Sequence, residues 1–109
     1  MVTAMLMEWP ESTLDHYNRV MSSLGLDANP PDGAIFHVAG FGPNGMRVLD
    51  IWESQQAFER FQQERLNAVI QKVGIPGQPK IQFFPVHNMY TPNLDTIKRM
   101  GASSLPAAV

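Results

Sequence analysis

The sequence contains no cysteine, so disulfide bridges, thiolate nucleophiles and cysteine-ligated zinc or iron–sulfur centres are all excluded. It has no basic excess either. Eight lysines and arginines stand against ten carboxylates, for a formal charge of −2. A protein that neutralises phosphates needs the opposite balance, so no nucleic acid partner is expected. No apolar run approaches the ~20 residues of a membrane span, so no membrane partner is expected. The amino terminus, MVTAMLMEWPE, lacks the basic segment and small-residue cleavage site of a secretory signal, and cytoplasmic residence is the expectation. What is present is 109 residues, of which 44% are hydrophobic. That is one domain with enough apolar surface to bury a core.

The stretch Gly33–Ser54, GAIFHVAGFGPNGMRVLDIWES, organises the rest. Ala34–Gly40 and Met46–Glu53 are strands rich in Ile, Phe, Val, Leu and Trp. Phe41-Gly42-Pro43-Asn44-Gly45 between them supplies the turn chemistry of a hairpin. Upstream, Val2–Trp9 is apolar on both parities, as a strand covered on both sides would be. Pro10 and Glu11 suit a helix start, and Leu14, Tyr17, Met21 and Leu24 recur at helical spacing, which predicts a helix over Glu11–Leu24. Downstream, Ser54 caps a helix over Gln55–Val73 with an apolar stripe of Phe58, Phe61, Leu66, Val69, Ile70 and Val73. Lys80–Met89 is the last strand, and Pro85 within it requires an edge position or a bulge.

The order is β-α-β-β-α-β. Right-handed crossovers then place both helices on one face of a four-stranded antiparallel sheet, the α+β ferredoxin-like arrangement. The uncovered face should alternate apolar with polar residues, yet Val2, Ala4 and Leu6 oppose Met5, Met7 and Trp9, and Ile81 and Phe83 oppose Phe84 and Val86. A second copy of the chain packed sheet to sheet accounts for both apolar faces, so a homodimer is expected. Residues 1–90 make the domain. Residues 91–109 are expected to be a tail, partly disordered or packed on the partner, with Leu94, Ile97 and Arg99 permitting one helical turn and Ala102–Val109 fraying.

Register decides the chemistry. If Phe41 lies opposite Met46, then Ala39 faces Val48, His37 faces Asp50 and Ile35 faces Trp52. A carboxylate beside an imidazole fixes its tautomer and orients a general base. The competing reading of Asp50 is an ion pair with Arg47 or with a cation of the partner subunit. His87 and Asn88 follow Pro85 on the last strand, where they would approach Trp52 if they point toward the helices. Tyr17 lies on the apolar stripe of its helix and can reach the same space, whereas His16 is on the flank. Met5, Phe58, Phe61 and Phe84 would supply the walls. An iron site from His37, His87 and Asp50 lacks any short-range ligand spacing, and no metal is assigned.

VLDIWESQQAFERF (Val48–Phe61) and PVHN (Pro85–Asn88) resemble the antibiotic-biosynthesis-monooxygenase-like group of the dimeric α/β-barrel superfamily, over roughly Val2–Asn88. The resemblance implies a ligand cavity in each subunit between sheet and helices. Members it resembles include cofactor-free oxygenases of aromatic polyketides, isomerases, cyclases, haem-degrading enzymes and proteins with no assigned role, and the resemblance implies one of these. The strand tryptophan that lines the cavity of the polyketide oxygenases falls on Trp52, while the asparagine they place earlier on that strand falls on Val48. The expectation is a small enzyme without cofactor that acts on a hydrophobic aromatic or polyketide-like molecule. His37, Asp50 and His87 are its candidate catalytic groups. Trp52, Tyr17, Asn88, Phe58, Phe61, Phe84 and Met5 are its candidate binding groups. The alternatives are a non-catalytic dimer that binds a small hydrophobic ligand, and a haem-degrading monooxygenase with His37 or His87 as axial ligand.

Overall fold

The computed structural model describes residues 1–101, and the expectation for Ala102–Val109 lies outside the described residues. Strands β1 (Thr3–Trp9), β2 (Ala34–Gly42), β3 (Gly45–Trp52) and β4 (Lys80–Pro85) form one antiparallel sheet in the order β2-β3-β1-β4. Helix α1 (Leu14–Leu24) connects β1 to β2. A longer helical run of α2 (Gln55–Phe61), a π-helical turn (Gln62–Leu66) and α3 (Asn67–Val73) connects β3 to β4. The arrangement is ferredoxin-like, as the order of apolar segments requires. No helix among the described residues is long and apolar enough to cross a membrane.

The core lies between the sheet and the helices. Met5, Met7 and Trp9 of β1 and Met46, Val48 and Trp52 of β3 are buried against Ala57 and Phe58 of α2, with Tyr17, Phe61, Leu66 and Ile70 packed around them. The indole N–H of Trp9 donates to the Pro76 carbonyl at 2.8 Å, which ties the end of β1 to the segment before β4.

Four departures from the sequence reading have local causes. First, α1 begins at Leu14, because Pro10 and Glu11 are spent in a turn closed by Ser12 N–H to the Trp9 carbonyl. Thr13 is the cap: its Oγ1 accepts from the His16 N–H while the Thr13 N–H donates to His16 Nδ1. His16 is thus a capping residue, and Leu14 in the first turn is exposed while Val20 takes its place in the core. Second, the helix after Ser54 contains a π turn. The stripe steps five positions from Phe61 to Leu66, a spacing that an i→i+5 turn accommodates by returning Leu66 to the same face. Third, a β-bulge between Ala34 and Phe36 puts Ala34 opposite Trp52, so Ile35 has no cross-strand partner there. Fourth, β4 stops at Pro85, on the edge of the sheet, so His87 and Asn88 lie beyond the strand. A seven-residue helix α4 (Leu94–Met100) follows, with Asn93 Oδ1 accepting from the Thr96 N–H.

Candidate functional site

Alternation along β3 sends Met46, Val48, Asp50 and Trp52 to the helix side of the sheet. The hairpin register then brings His37 opposite Asp50, Ala39 opposite Val48 and Phe41 opposite Met46. These strands, with α1 above them and α2 alongside, enclose a cavity of ≈ 270 Å³. Its wall is apolar almost throughout, and four methionines (Met5, Met7, Met21, Met46) contribute to it. Methionine is unbranched and polarisable, so such a wall adapts to more than one ligand outline.

The polar groups converge at one corner. Asp50 is buried, with both carboxylate oxygens used as acceptors: Oδ1 lies 2.6 Å from His37 Nδ1, and Oδ2 accepts from the Trp52 indole N–H at 3.1 Å. The acidic partner at Nδ1 fixes the tautomer, because Nδ1 must carry its hydrogen to donate to Asp50. In the neutral imidazole His37 Nε2 is then an acceptor, and the Tyr17 hydroxyl, 2.6 Å away, donates to it. Trp52, Asp50, His37 and Tyr17 are therefore one continuous series of hydrogen bonds.

Packing holds each member. The Tyr17 and His37 rings stack at 5.9 Å with 5° between their planes, and Phe41 meets Tyr17 edge-on at 6.1 Å. Trp52 packs against Phe58 at 5.6 Å and Phe61 at 5.5 Å. The His37 side chain keeps 38% of its surface exposed, so the far end of the series is reachable, whereas Asp50 at 10% is not. Burial, and then the negative charge of Asp50, push the Tyr17 hydroxyl up to about 12, which keeps it a proton donor.

Of the residues singled out from sequence, the structure brings His37, Asp50, Trp52, Tyr17, Phe58, Phe61 and Met5 to this cavity. It does not bring His87, Asn88 or Phe84 there. His87 and Asn88 sit in exposed chain past Pro85, where the strand has ended. Phe84 pairs with Ala4 and points to the opposite sheet face, while its neighbour Phe83 pairs with Met5 on the helix side. Arg47 does not pair with Asp50: it is on the other face, 3.8 Å from Glu8. Among the described residues no three His, Asp or Glu side chains converge as a metal site would require. Sequence reasoning had not placed buried Ser12 in the wall, nor Met46 and Val48; the parity of Asp50 and Trp52 already carried the signal for those two.

Fold and site together define a ferredoxin-like protein with a chamber between sheet and helices. Among solved structures it is similar to SnoaB, a cofactor-independent oxygenase from Streptomyces nogalater (TM-score 0.58, 13% identity, 81% of this chain and 94% of that one). It is similar also to a dimeric ferredoxin-like protein of unknown function from Thermobifida fusca (TM-score 0.57, 15% identity, 79% and 92%). A third likeness is to the ActVA-Orf6 monooxygenase of Streptomyces coelicolor, solved with nanaomycin D (TM-score 0.51, 18% identity, 84% and 91%). These likenesses establish the shared fold. No protein-family model matches the sequence, and no curated protein matches it.

Proposed function

We propose that this chain is a small enzyme, needing no cofactor, that removes a proton from a compact, mostly apolar aromatic molecule held in the cavity. The observation that carries the reading is the Asp50–His37 pair at 2.6 Å, at a polar corner of a largely apolar chamber. Asp50 orients the imidazole and balances the imidazolium that forms when Nε2 accepts a proton. A packed interior would have favoured an inert binding dimer; the cavity is open instead. At ≈ 270 Å³ it falls just below the usual range of ligand pockets, about 300 to 1,000 Å³, and suits one or two rings better than an extended polyketide. SnoaB, a cofactor-independent oxygenase, and the ActVA-Orf6 monooxygenase show that this fold can carry a small enzyme; in this reading the carbanion goes on to dioxygen, to isomerisation or to cyclisation.

We infer further that the working unit is a homodimer. The sheet face away from the helices carries Leu6 and Leu49, half-buried, and Val38 and Phe84, each close to half exposed. A second copy covers that face most simply, and the dimeric Thermobifida fusca protein offers a precedent in the same fold.

The test begins with a panel of one- and two-ring phenols and ketones. Binding is read by quenching of tryptophan fluorescence, since Trp9 and Trp52 both line the cavity, and conversion by mass spectrometry. His37→Ala and Asp50→Asn should each bind the accepted compound but convert it about 10²–10⁴-fold more slowly. Conversion unchanged in His37→Ala would end the proposal.

A further inference from the structure

In the resting site both nitrogens of His37 are engaged: Nδ1 with Asp50 and Nε2 with the Tyr17 hydroxyl, each at 2.6 Å. A base whose only lone pair already accepts a hydrogen bond cannot take a proton until that donor moves. Once an apolar ligand has displaced water from the chamber, the acceptor that replaces Nε2 is one the ligand brings. We propose that Tyr17 is a catalytic residue: its hydroxyl leaves Nε2 to donate to a carbonyl oxygen of the substrate, and the freed Nε2 takes the hydrogen from the adjacent carbon. The site therefore takes a small enolisable ketone. This rests on the reading of His37 as the base.

The geometry matches that class. A carbonyl oxygen and an α-hydrogen sit on adjacent carbons, so a donor and a base that are themselves neighbours engage both at once. Stacking on His37 and the edge contact with Phe41 hold the Tyr17 ring beside the imidazole, so that exchanging one acceptor for another requires only a small movement of the hydroxyl. The neighbours that bear on Tyr17 are His37 at its hydroxyl, Phe41 at its ring edge and the negative charge of Asp50, none of which draws off its proton. It stays a neutral donor throughout the physiological range, as an oxyanion-binding phenol must.

The step balances without any co-reactant. The C–H bond breaks and its electron pair becomes the carbon–carbon π bond of the enolate. The carbonyl π pair moves onto oxygen, where the Tyr17 O–H stabilises it. The proton resides on Nε2 as an imidazolium paired with Asp50. Return of a proton to the same carbon gives exchange with solvent, and return to another carbon gives an isomer.

The experiment uses 2-tetralone, a two-ring enolisable ketone, with the full chain in deuterium oxide. Binding is followed by tryptophan quenching and loss of the α-proton signals by proton NMR. Wild type should accelerate exchange. Tyr17→Phe should bind within about threefold of wild type yet exchange about 10²–10³-fold more slowly. A second variant guards against misfolding. In a Tyr90→Phe background Tyr17 is the last of the two tyrosines, and replacing it with 3-fluorotyrosine gives a stronger donor of nearly the same size that should exchange faster. Exchange by Tyr17→Phe as fast as wild type, or indifference to fluorination, would overturn the role of the tyrosine and leave the base intact. Wild type that binds no member of the ketone panel, or binds 2-tetralone without exchange, would remove the base and this inference together.

Discussion

Asp50 is the residue on which the site turns, because it is a carboxylate taken out of water with two donors aimed at it. A buried charge of this kind is tolerated only while its partners remain. Trp52→Phe keeps the ring contacts with Phe58 and Phe61 but removes the hydrogen bond to Oδ2. It should destabilise the protein by about 1–3 kcal/mol, read as a lower urea midpoint at unchanged slope. Tyr17 yields a prediction in pH. Its folded value of about 12 lies above the ordinary 10.0, so the native state holds that proton more tightly than the unfolded chain. Its contribution is therefore fully present below pH 10.0 and is lost as pH climbs through about 12. Phenolate absorbance should reveal a step near the upper value that Tyr17→Phe abolishes, along with part of the alkaline loss of stability.

At the scale of the element, the hairpin does the positioning. Its register was legible because Phe41-Gly42-Pro43-Asn44-Gly45 is short and turn-rich, which leaves few ways to close it, and His37 opposite Asp50 followed. The bulge at Ile35 was not legible: the extra residue is accommodated where Gly33, at φ 85°, packs against Ala57, a contact no local pattern announces. The largely apolar stretch Lys80–Met89 suggests a strand through His87, but the ladder ends at Pro85 and His87 lies beyond it. The five-residue step from Phe61 to Leu66 was in plain view, but a π turn is too rare to be assumed from spacing alone. Gly45 is where the hairpin meets the rest of the fold. It adopts φ 92°, and a Cβ there would stand 2.5 Å from the Pro10 backbone. Gly45→Ala should cost about 2–3 kcal/mol and, by shifting β3, weaken ligand binding; thermal unfolding and tryptophan quenching together check both.

For the whole molecule, the two faces of one sheet have separable jobs. Every hydrogen-bonding member of the site, Tyr17, His37, Asp50 and Trp52, comes from a single chain and lies on the helix side. The opposite face offers Val38 and Phe84 to whatever covers it. If the second copy serves to bury that face, dimerisation stabilises each subunit without completing its chamber. Stable homodimer interfaces remove about 1,200–2,000 Å² or more from water, and two cations placed in such a contact oppose their symmetry mates. The double variant Val38→Lys/Phe84→Lys should therefore sediment as a monomer where wild type sediments as a dimer, and its thermal midpoint should fall. Its affinity for an accepted ligand should stay within about threefold, because the lysines point away from the cavity. Wild type sedimenting as a monomer would refute the covering role, and a monomeric variant that loses binding altogether would mean that the partner helps to shape the chamber.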